Sequence, residues 1–181
     1  MQTIHTPRLT LRPLSPADEG ALLALLRHPA VGETYMVPDL TDDQTAQRLF
    51  QRIRTLSHDE AHFVRAIDLQ GELIGLINDT EITGSTLELG WVVHPDHHNR
   101  GYCTEAVTAA LQALLAQGYT QITAGAFPTN LASLRVMQKC GMTPRSKRED
   151  VTYRGQTHHC IFYGIHAPCN TLNSEFRIPN S

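Results

Sequence analysis

The chain is short of everything that marks a membrane span, a nucleic-acid binder or a disulfide-stapled scaffold. Across its 181 residues no apolar run approaches the roughly 20 residues a bilayer requires. The opening Met1-Gln-Thr-Ile-His-Thr-Pro-Arg-Leu-Thr10 holds no apolar core of a secretory signal. Positive charge is in deficit, with 15 Lys+Arg against 18 Asp+Glu, which excludes a phosphate-tracking nucleic-acid surface. The cysteines, Cys103, Cys140, Cys160 and Cys169, are scattered and form no C-x-x-C pair; a cytoplasmic protein with reduced thiols is expected. Histidine is plentiful, yet neither His94/His97/His98 nor His158/His159/Cys160 has H-x-x-x-H or zinc-ribbon spacing, so no metal is expected. Internal repeats, linkers and long charge blocks are also missing. What is left is a chain of ordinary hydrophobic content (41%), enough for one domain with a real core.

The walk along the chain predicts a mixed fold. Thr10–Leu14 alternates as a short strand. Ser15-Pro16-Ala17-Asp18 opens a helix that carries Leu22, Leu25 and Leu26 on one face. Thr41-Asp-Asp-Gln44 repeats the capping pattern ahead of a stripe of Leu49, Phe50, Ile53 and Leu56. Phe63–Leu69, a Gln70-Gly71 turn, Glu72–Asp79, a turn near Thr83-Gly84-Ser85 and Leu87–Val93 read as a three-stranded meander. Then the period changes. Thr104–Gln117 is predicted helical with Ala106, Val107, Ala110, Leu111 and Leu114 inward, Gln121–Phe127 a strand, Asn130–Cys140 a helix, and Val151–Tyr153 with His159–Ile165 a last hairpin. The sum is one α/β (α+β) domain over residues 1–166, followed by a tail at 167–181 of marginal order.

One stretch carries chemistry. Trp91-Val-Val-His-Pro-Asp-His-His-Asn-Arg-Gly-Tyr-Cys-Thr-Glu-Ala106 reads as strand, loop and helix start. The first-turn N–H groups of a helix lack partners and sit at the positive end of its dipole, so they suit a pyrophosphate. Gly101 lets backbone approach a ligand closely, and Arg100 adds positive charge.

Three separated pieces resemble the GNAT superfamily of acyl-CoA N-acyltransferases. Thr6-Pro-Arg-Leu-Thr-Leu-Arg12 is similar to the opening strand of the branch that holds the ribosomal-protein N-terminal acetyltransferases. Gly90–Pro95 with Arg100–Ala106 resembles the family's coenzyme A pyrophosphate loop and helix. Asn130-Leu-Ala-Ser133-Leu-Arg-Val-Met-Gln-Lys139-Cys-Gly141-Met142 resembles its second cofactor element. The resemblance spans about residues 3–165 and implies a GNAT fold, with a mixed, mostly antiparallel sheet splayed at the cofactor site and flanked by helices. It implies acetyl-CoA as co-substrate, held by Trp91, Val92, Val93, His98, Asn99, Arg100, Gly101, Tyr102, Cys103, Thr104, Asn130 and Ser133, with the backbone of Val92 and Val93 pairing with the pantetheine arm. Two positions depart from the pattern: His98 stands where relatives carry Gln or Arg, and Cys103 where they carry Gly or Ala. Where many relatives carry a Tyr that protonates the leaving thiolate, this chain has Met137, which cannot; Ser133 matches the serine proposed for that role in the ribosomal branch.

Acetyl transfer to an amine needs a proton acceptor and stabilisation of the thioester oxygen. Glu88 is the first candidate base. Alternation puts it with Gly90 and Val92 on one face, opposite Leu87, Leu89 and Trp91; the bland alternative is an exposed sheet charge. Glu105 reads as a dipole partner or loop tether, with catalysis the lesser option. Glu149 and Asp150 fall where the ribosomal branch has an acidic residue, or are solvated loop charges. Ser133 holds the sulfur or merely starts a helix, and Asn130 caps that helix or bonds the pantetheine. Cys103, at a helix N-terminus beside Arg100, is expected to have a depressed pKa. Acceptor selection is expected near Gly32–Leu40 and after Asp79, with Tyr35, Met36 and Asp39 either lining the pocket or packing a connector. The resemblance implies an N-acetyltransferase, acting on a protein or peptide N-terminal α-amine or on a small-molecule amine, as monomer or homodimer, with no nucleic acid or membrane partner. Two rivals remain: a non-catalytic acyl-CoA sensor and a nucleotide-binding protein using the same anion site.

Overall fold

The structure, a computed structural model, describes residues 3–168. Its strands are β1 Ile4–His5, β2 Thr10–Arg12, β3 Val64–Leu69, β4 Glu72–Thr83, β5 Thr86–Val93, β6 Gln121–Ala126, β7 Thr143–Tyr153 and β8 Gln156–His166. Its helices are α1 Glu19–Arg27, α2 Pro29–Gly32, α3 Asp43–Ser57, α4 Tyr102–Ala116 and α5 Leu131–Lys139. The strands form one sheet in the order β1-β2-β3-β4-β5-β6-β8-β7. All neighbours are antiparallel except β5 and β6. That parallel step needs a crossover, and α4 supplies it. Of the tail expected at 167–181, residues 169–181 lie outside the described part.

Local chemistry explains the meander. Gln70 and Gly71 both take positive φ (56° and 94°), the mirror-image turn whose twist matches the flanking strands. The alternation along β5 then sorts its side chains between two cores. Leu87, Leu89 and Val93 pack with Ala106, Val107, Ala110, Leu111 and Leu114 of α4 on one face. Val92 packs with Val64, Ala66 and Leu76 against Leu22, Leu25, Leu26 and Phe50 of α1 and α3 on the other. The five α4 residues expected inward are all buried.

Arg12 ties the sheet to the start of α1. Its Nη1 and Nη2 each donate to Asp18 at 2.8 Å, and its Nε donates to Asp68 at 2.9 Å. The Asp18 carboxylate also receives the Ser15 backbone N–H at 2.6 Å. Burial alone would push the pKa of Asp18 up, but the bonds from Arg12 and Ser15 outweigh it and hold the carboxyl below its usual range.

Three boundaries differ from expectation. The second long helix is capped by Asp42, not Thr41: its Oδ1 accepts from the Thr45 N–H at 2.8 Å. The crossover helix starts at Tyr102 rather than Thr104, because Gly101 turns into it with φ 81°. The last hairpin is much longer than the predicted Val151–Tyr153 and His159–Ile165, so Glu149 and Asp150 stand on strand β7 and not in a loop. β7 is the sheet's edge and is exposed along most of its length. An edge strand needs no apolar alternation and tolerates Pro144, so the pattern that reveals buried strands is missing.

β5 and β6 pair over only three positions, Thr86↔Gln121, Leu87↔Ile122 and Glu88↔Thr123. Past Glu88 they diverge. β5 continues beside β4 to Val93, and β6 continues beside β8 to Ala126. The sheet therefore opens like a V, and the wedge is the site.

Candidate functional site

A cleft of about 550 Å³ fills the V. It is lined from β5 by Glu88 to Val93, from the following loop and α4 by His97, His98, Asn99 and Gly101 to Thr104, and from α5 by Asn130, Ser133 and Val136. Thus every expected cofactor residue faces one cavity except Arg100, which is exposed and outside the lining. Arg100 instead offers its carbonyl oxygen to Arg8 Nη1 at 2.9 Å. The anion-binding part of the loop is accordingly backbone. Asn99 and Gly101 both have positive φ (60° and 81°), and no side chain caps the start of α4. The first-turn N–H groups of a 15-residue helix are left for a ligand.

Glu105 is fully engaged elsewhere. Its Oε1 accepts from Thr6 Oγ1 at 2.6 Å and the Arg8 N–H at 2.9 Å, and its Oε2 accepts from Arg8 Nε at 2.7 Å. Arg8 also lies over the Tyr102 ring, 4.5 Å from its centroid. Glu105 is the loop tether, and the Thr6–Arg12 motif is explained by Arg8, a contact the sequence reading missed. Burial pushes the Glu105 carboxyl up, but Thr6 and Arg8 overcome this and lower its pKa.

Cys103 contradicts expectation. A low pKa was predicted from its place at a helix N-terminus. The thiol instead packs against the core beside α4 and α5, and burial pushes its pKa up to about 12. Desolvation outweighs the helix dipole here. His98 Nε2 lies 2.9 Å from the Val93 carbonyl oxygen and donates to it. One lone pair of that oxygen is thus already used. The Asn130 side chain resolves to the capping role: its Oδ1 accepts from the Ser133 N–H at 3.1 Å.

At the far end of the wedge the surroundings of Glu88 come from remote segments. β4 bulges at Thr80, which has no partner between Asp79↔Leu89 and Glu81↔Glu88. The bulge brings Thr80 Oγ1 within 3.1 Å of Glu88 Oε1, to which it donates. Lys147 Nζ lies 3.4 Å from Glu88 Oε2. Tyr35 donates to Asn78 Oδ1 at 2.6 Å, and burial pushes its phenol pKa up. Tyr35, Met36, Asn78, Thr80 and Glu88 share the cleft lining, while Asp39 is exposed outside it. Asp150 pairs with His159, and Glu149 with Lys147. The hairpin tip closes the arrangement: Tyr153 donates to the Gly32 carbonyl at 3.0 Å, joining β7 to the end of α2. Asn78, Thr80, Lys147 and Tyr153 were not singled out from sequence, because only the fold brings them near Glu88. Among the described residues no group of His, Cys, Asp or Glu could hold a metal, and no helix is long and apolar enough to cross a membrane.

Comparison with known proteins identifies the architecture. The family profile described as "Acetyltransferase (GNAT) domain" matches residues 8–143. An uncharacterized N-acetyltransferase, p20 of Bacillus licheniformis, is 27% identical over 146 residues, covering 76% of this chain and 80% of that protein. An uncharacterized N-acetyltransferase, YnaD of Bacillus subtilis, is 42% identical over 62 residues, which covers 32% of this chain and about a third (34%) of that relative. The solved structure of RimL, a ribosomal L7/L12 α-N-protein acetyltransferase, in complex with coenzyme A superposes with a TM-score of 0.80, covering 91% of this chain and 98% of that one at 16% identity. The cleft in the splayed sheet, the uncapped helix start behind Gly101 and the family match over most of the chain agree: the protein belongs to the GNAT family and is an acetyl-CoA-dependent N-acetyltransferase.

Proposed function

We propose that the acceptor is a protein or peptide N-terminal α-amine, and that Glu88 takes its proton. The observation that carries this reading is the position of Glu88. It stands at the last residue where β5 and β6 pair, with its carboxylate in the cleft that also holds Ser133 and the α4 loop. An acceptor amine has to meet the thioester where the strands part, and there Glu88 is the acidic side chain in the lining. An α-amine has a pKa of about 7.7–8.0 against about 10.4 for lysine, so less has to be asked of the base. The fold shared with RimL, whose acceptor is a protein α-amine, supports the same class.

Acetyl-CoA supplies the thioester and would lie with its pyrophosphate on the N–H groups behind Gly101 and its pantetheine along Val92. Thr80 orients the Glu88 carboxylate by its hydrogen bond. Glu88 then removes the proton that leaves the amine unreactive. Ser133, in the first turn of α5, is the hydroxyl in this part of the cleft that can donate to the departing sulfur. Met137 is buried in the core and takes no part. A thiolate of ordinary pKa near 8.5 leaves readily, so a hydrogen bond suffices.

The test pairs an acceptor panel with ligand-induced stabilisation. Acetyl-CoA at 100 times its dissociation constant adds about 2.7 kcal/mol to stability. The same shift is expected in wild type and in Glu88→Gln, with turnover of N-terminal peptides lost only in the variant. Turnover of small amines with none on any peptide would sink the acceptor assignment. Undiminished turnover in Glu88→Gln would sink the role of Glu88.

A further inference from the structure

Lysine is scarce in this chain: Lys139 and Lys147 stand against 13 arginines. Both lie at the site. Lys139 lines the cleft at the end of α5. Lys147 reaches Glu88 from the opposite edge of the sheet, and that reach is built by several features. β7 pairs Pro144 with Tyr163 and Arg148 with Ile161, so residues 145–147 face Phe162 alone. The surplus residues arch the strand. Phe162 pairs with Gly125 on β6, and a Cβ at Gly125 would come within 2.8 Å of the Phe162 ring. The missing side chain lets the ring settle over β6. Lys147 lies across that ring, its Nζ 4.1 Å from the centroid, and ends between Glu88 Oε2 at 3.4 Å and Glu149 Oε2 at 3.3 Å. An ion pair this exposed adds little to stability, so the elaborate approach has another use.

We propose that Lys147 is an acetylation site of the enzyme itself, its amine held beside Glu88 where the acceptor amine has to stand. This rests on Glu88 being the proton acceptor. Atoms balance without any reagent beyond acetyl-CoA. Lys147 Nζ gives a proton to the Glu88 carboxylate, which passes it to solvent. The freed lone pair forms the C–N bond to the acetyl carbon, the C–S bond breaks, and the thiolate takes up a proton. The products are Nε-acetyl-Lys147, coenzyme A and one proton. Tethering replaces a bimolecular encounter, which favours the step. Burial pulls the Lys147 pKa down, but Glu88 and Glu149 outweigh it and raise it, so self-transfer is slow and quickens as pH rises. Once acetylated, the side chain loses its charge, and Glu88 loses its resident cation.

The protein is incubated with acetyl-CoA and both lysines are followed by peptide mass spectrometry, with peptide acetylation assayed in parallel. Lys147 is expected to gain an acetyl group at least tenfold faster than Lys139, which serves as the internal measure of spontaneous labelling. In Glu88→Gln the Lys147 rate should fall to that of Lys139, and in Lys147→Arg the fast phase should vanish while Lys139 still labels. The first-order rate should not change on tenfold dilution of the protein. Equal labelling of the two lysines, or fast labelling that survives in Glu88→Gln, overturns the proposal, and a rate that falls in proportion to dilution overturns the tethered geometry. If peptides are turned over in a Glu88-dependent way while Lys147 stays unmodified, only this inference fails. If Glu88→Gln changes neither assay, the proposed role of Glu88 fails with it.

Discussion

The two ends of the cleft are assembled in opposite ways. The cofactor end is nearly one piece of chain, from Trp91 through the positive-φ pair Asn99 and Gly101 into the first turn of α4, completed by the start of α5. The acceptor end takes single side chains from separate segments: Tyr35 after α2, Asn78 and the bulged Thr80 on β4, Glu88 on β5, and Lys147 and Tyr153 on the edge strand β7. A pyrophosphate can be read by backbone N–H groups, which any sequence of the right shape presents. An amine has to be read by side chains, and these are brought together only by the fold.

The sharpest way to break this contrast is Glu88→Gln. One side chain should separate the two ends. We expect kcat on the acceptor to fall about 10²–10⁴-fold, the usual worth of a positioned base, with the acetyl-CoA dissociation constant unchanged within about twofold. A matching loss of acetyl-CoA affinity would mean that the ends are not independent. Next in size is a change that touches neither end. Asp18→Asn strips the bidentate partner from Arg12, whose side chain is 23% exposed, and should cost about 2 kcal/mol, below the 3–5 typical of a fully buried pair. Urea unfolding measures it. The pKa of Asp18 is lowered in the fold, so its stabilisation is complete above the unfolded value of about 3.9 and is lost as pH falls through the folded value. The variant's stability should therefore decline less steeply below about pH 4 than that of wild type. Any loss of activity there without loss of fold would show that the β2–α1 tie reaches the site.

The same contrast explains what could be read in the sequence. Local signals were legible: the turn at Gln70-Gly71, the five inward residues of α4, the capping Asn130, and the loop whose residues, Arg100 excepted, face the cleft. Signals that depend on distant chain were not. Residues 143–150 carry no alternation because β7 is an exposed edge, so Lys147 looked like one more solvated charge. Cys103 was misread for a related reason. Its position promises a helix N-terminus, but its burial depends on α5, some thirty residues on, and burial wins. Reaction with a thiol alkylating agent should accordingly be slow with or without acetyl-CoA. Arg8 was inside a quoted motif, yet its bonds to Glu105 join segments 97 residues apart.

A probe of the cofactor end alone is Gly101→Ala. With φ at 81° an added Cβ is strained by about 1 kcal/mol, and it would also sit 3.3 Å from Arg8 Nη2. The expected result is a KM for acetyl-CoA raised about fivefold, since 1.4 kcal/mol is tenfold, with the acceptor KM unmoved. A change in acceptor KM of equal size would erase the distinction between the ends.

The mildest probe is Tyr153→Phe, which tests whether the acceptor end is held by the hairpin. The ring stays, so the packing of Tyr153 beside Phe127, Cys160 and Phe162 is kept. What goes is the hydroxyl that donates to Gly32 at 3.0 Å. A neutral hydrogen bond is worth about 0.5–1.5 kcal/mol net, and part of that is recovered by water at this half-exposed edge. The segment from Gly32 to Val37 carries Tyr35 and Met36 into the cleft, so loosening it should blur acceptor placement and leave the α4 loop alone. We expect the acceptor KM to rise about threefold, equivalent to about 0.65 kcal/mol. kcat should change less than that, and acetyl-CoA affinity should stay constant. Because the hydroxyl is remote from the reacting atoms, Tyr153 is a positioning residue, and the split between KM and kcat distinguishes that role from catalysis. A fall in kcat alone would instead mean that the hairpin acts on Glu88 through Lys147, six residues back along the same strand.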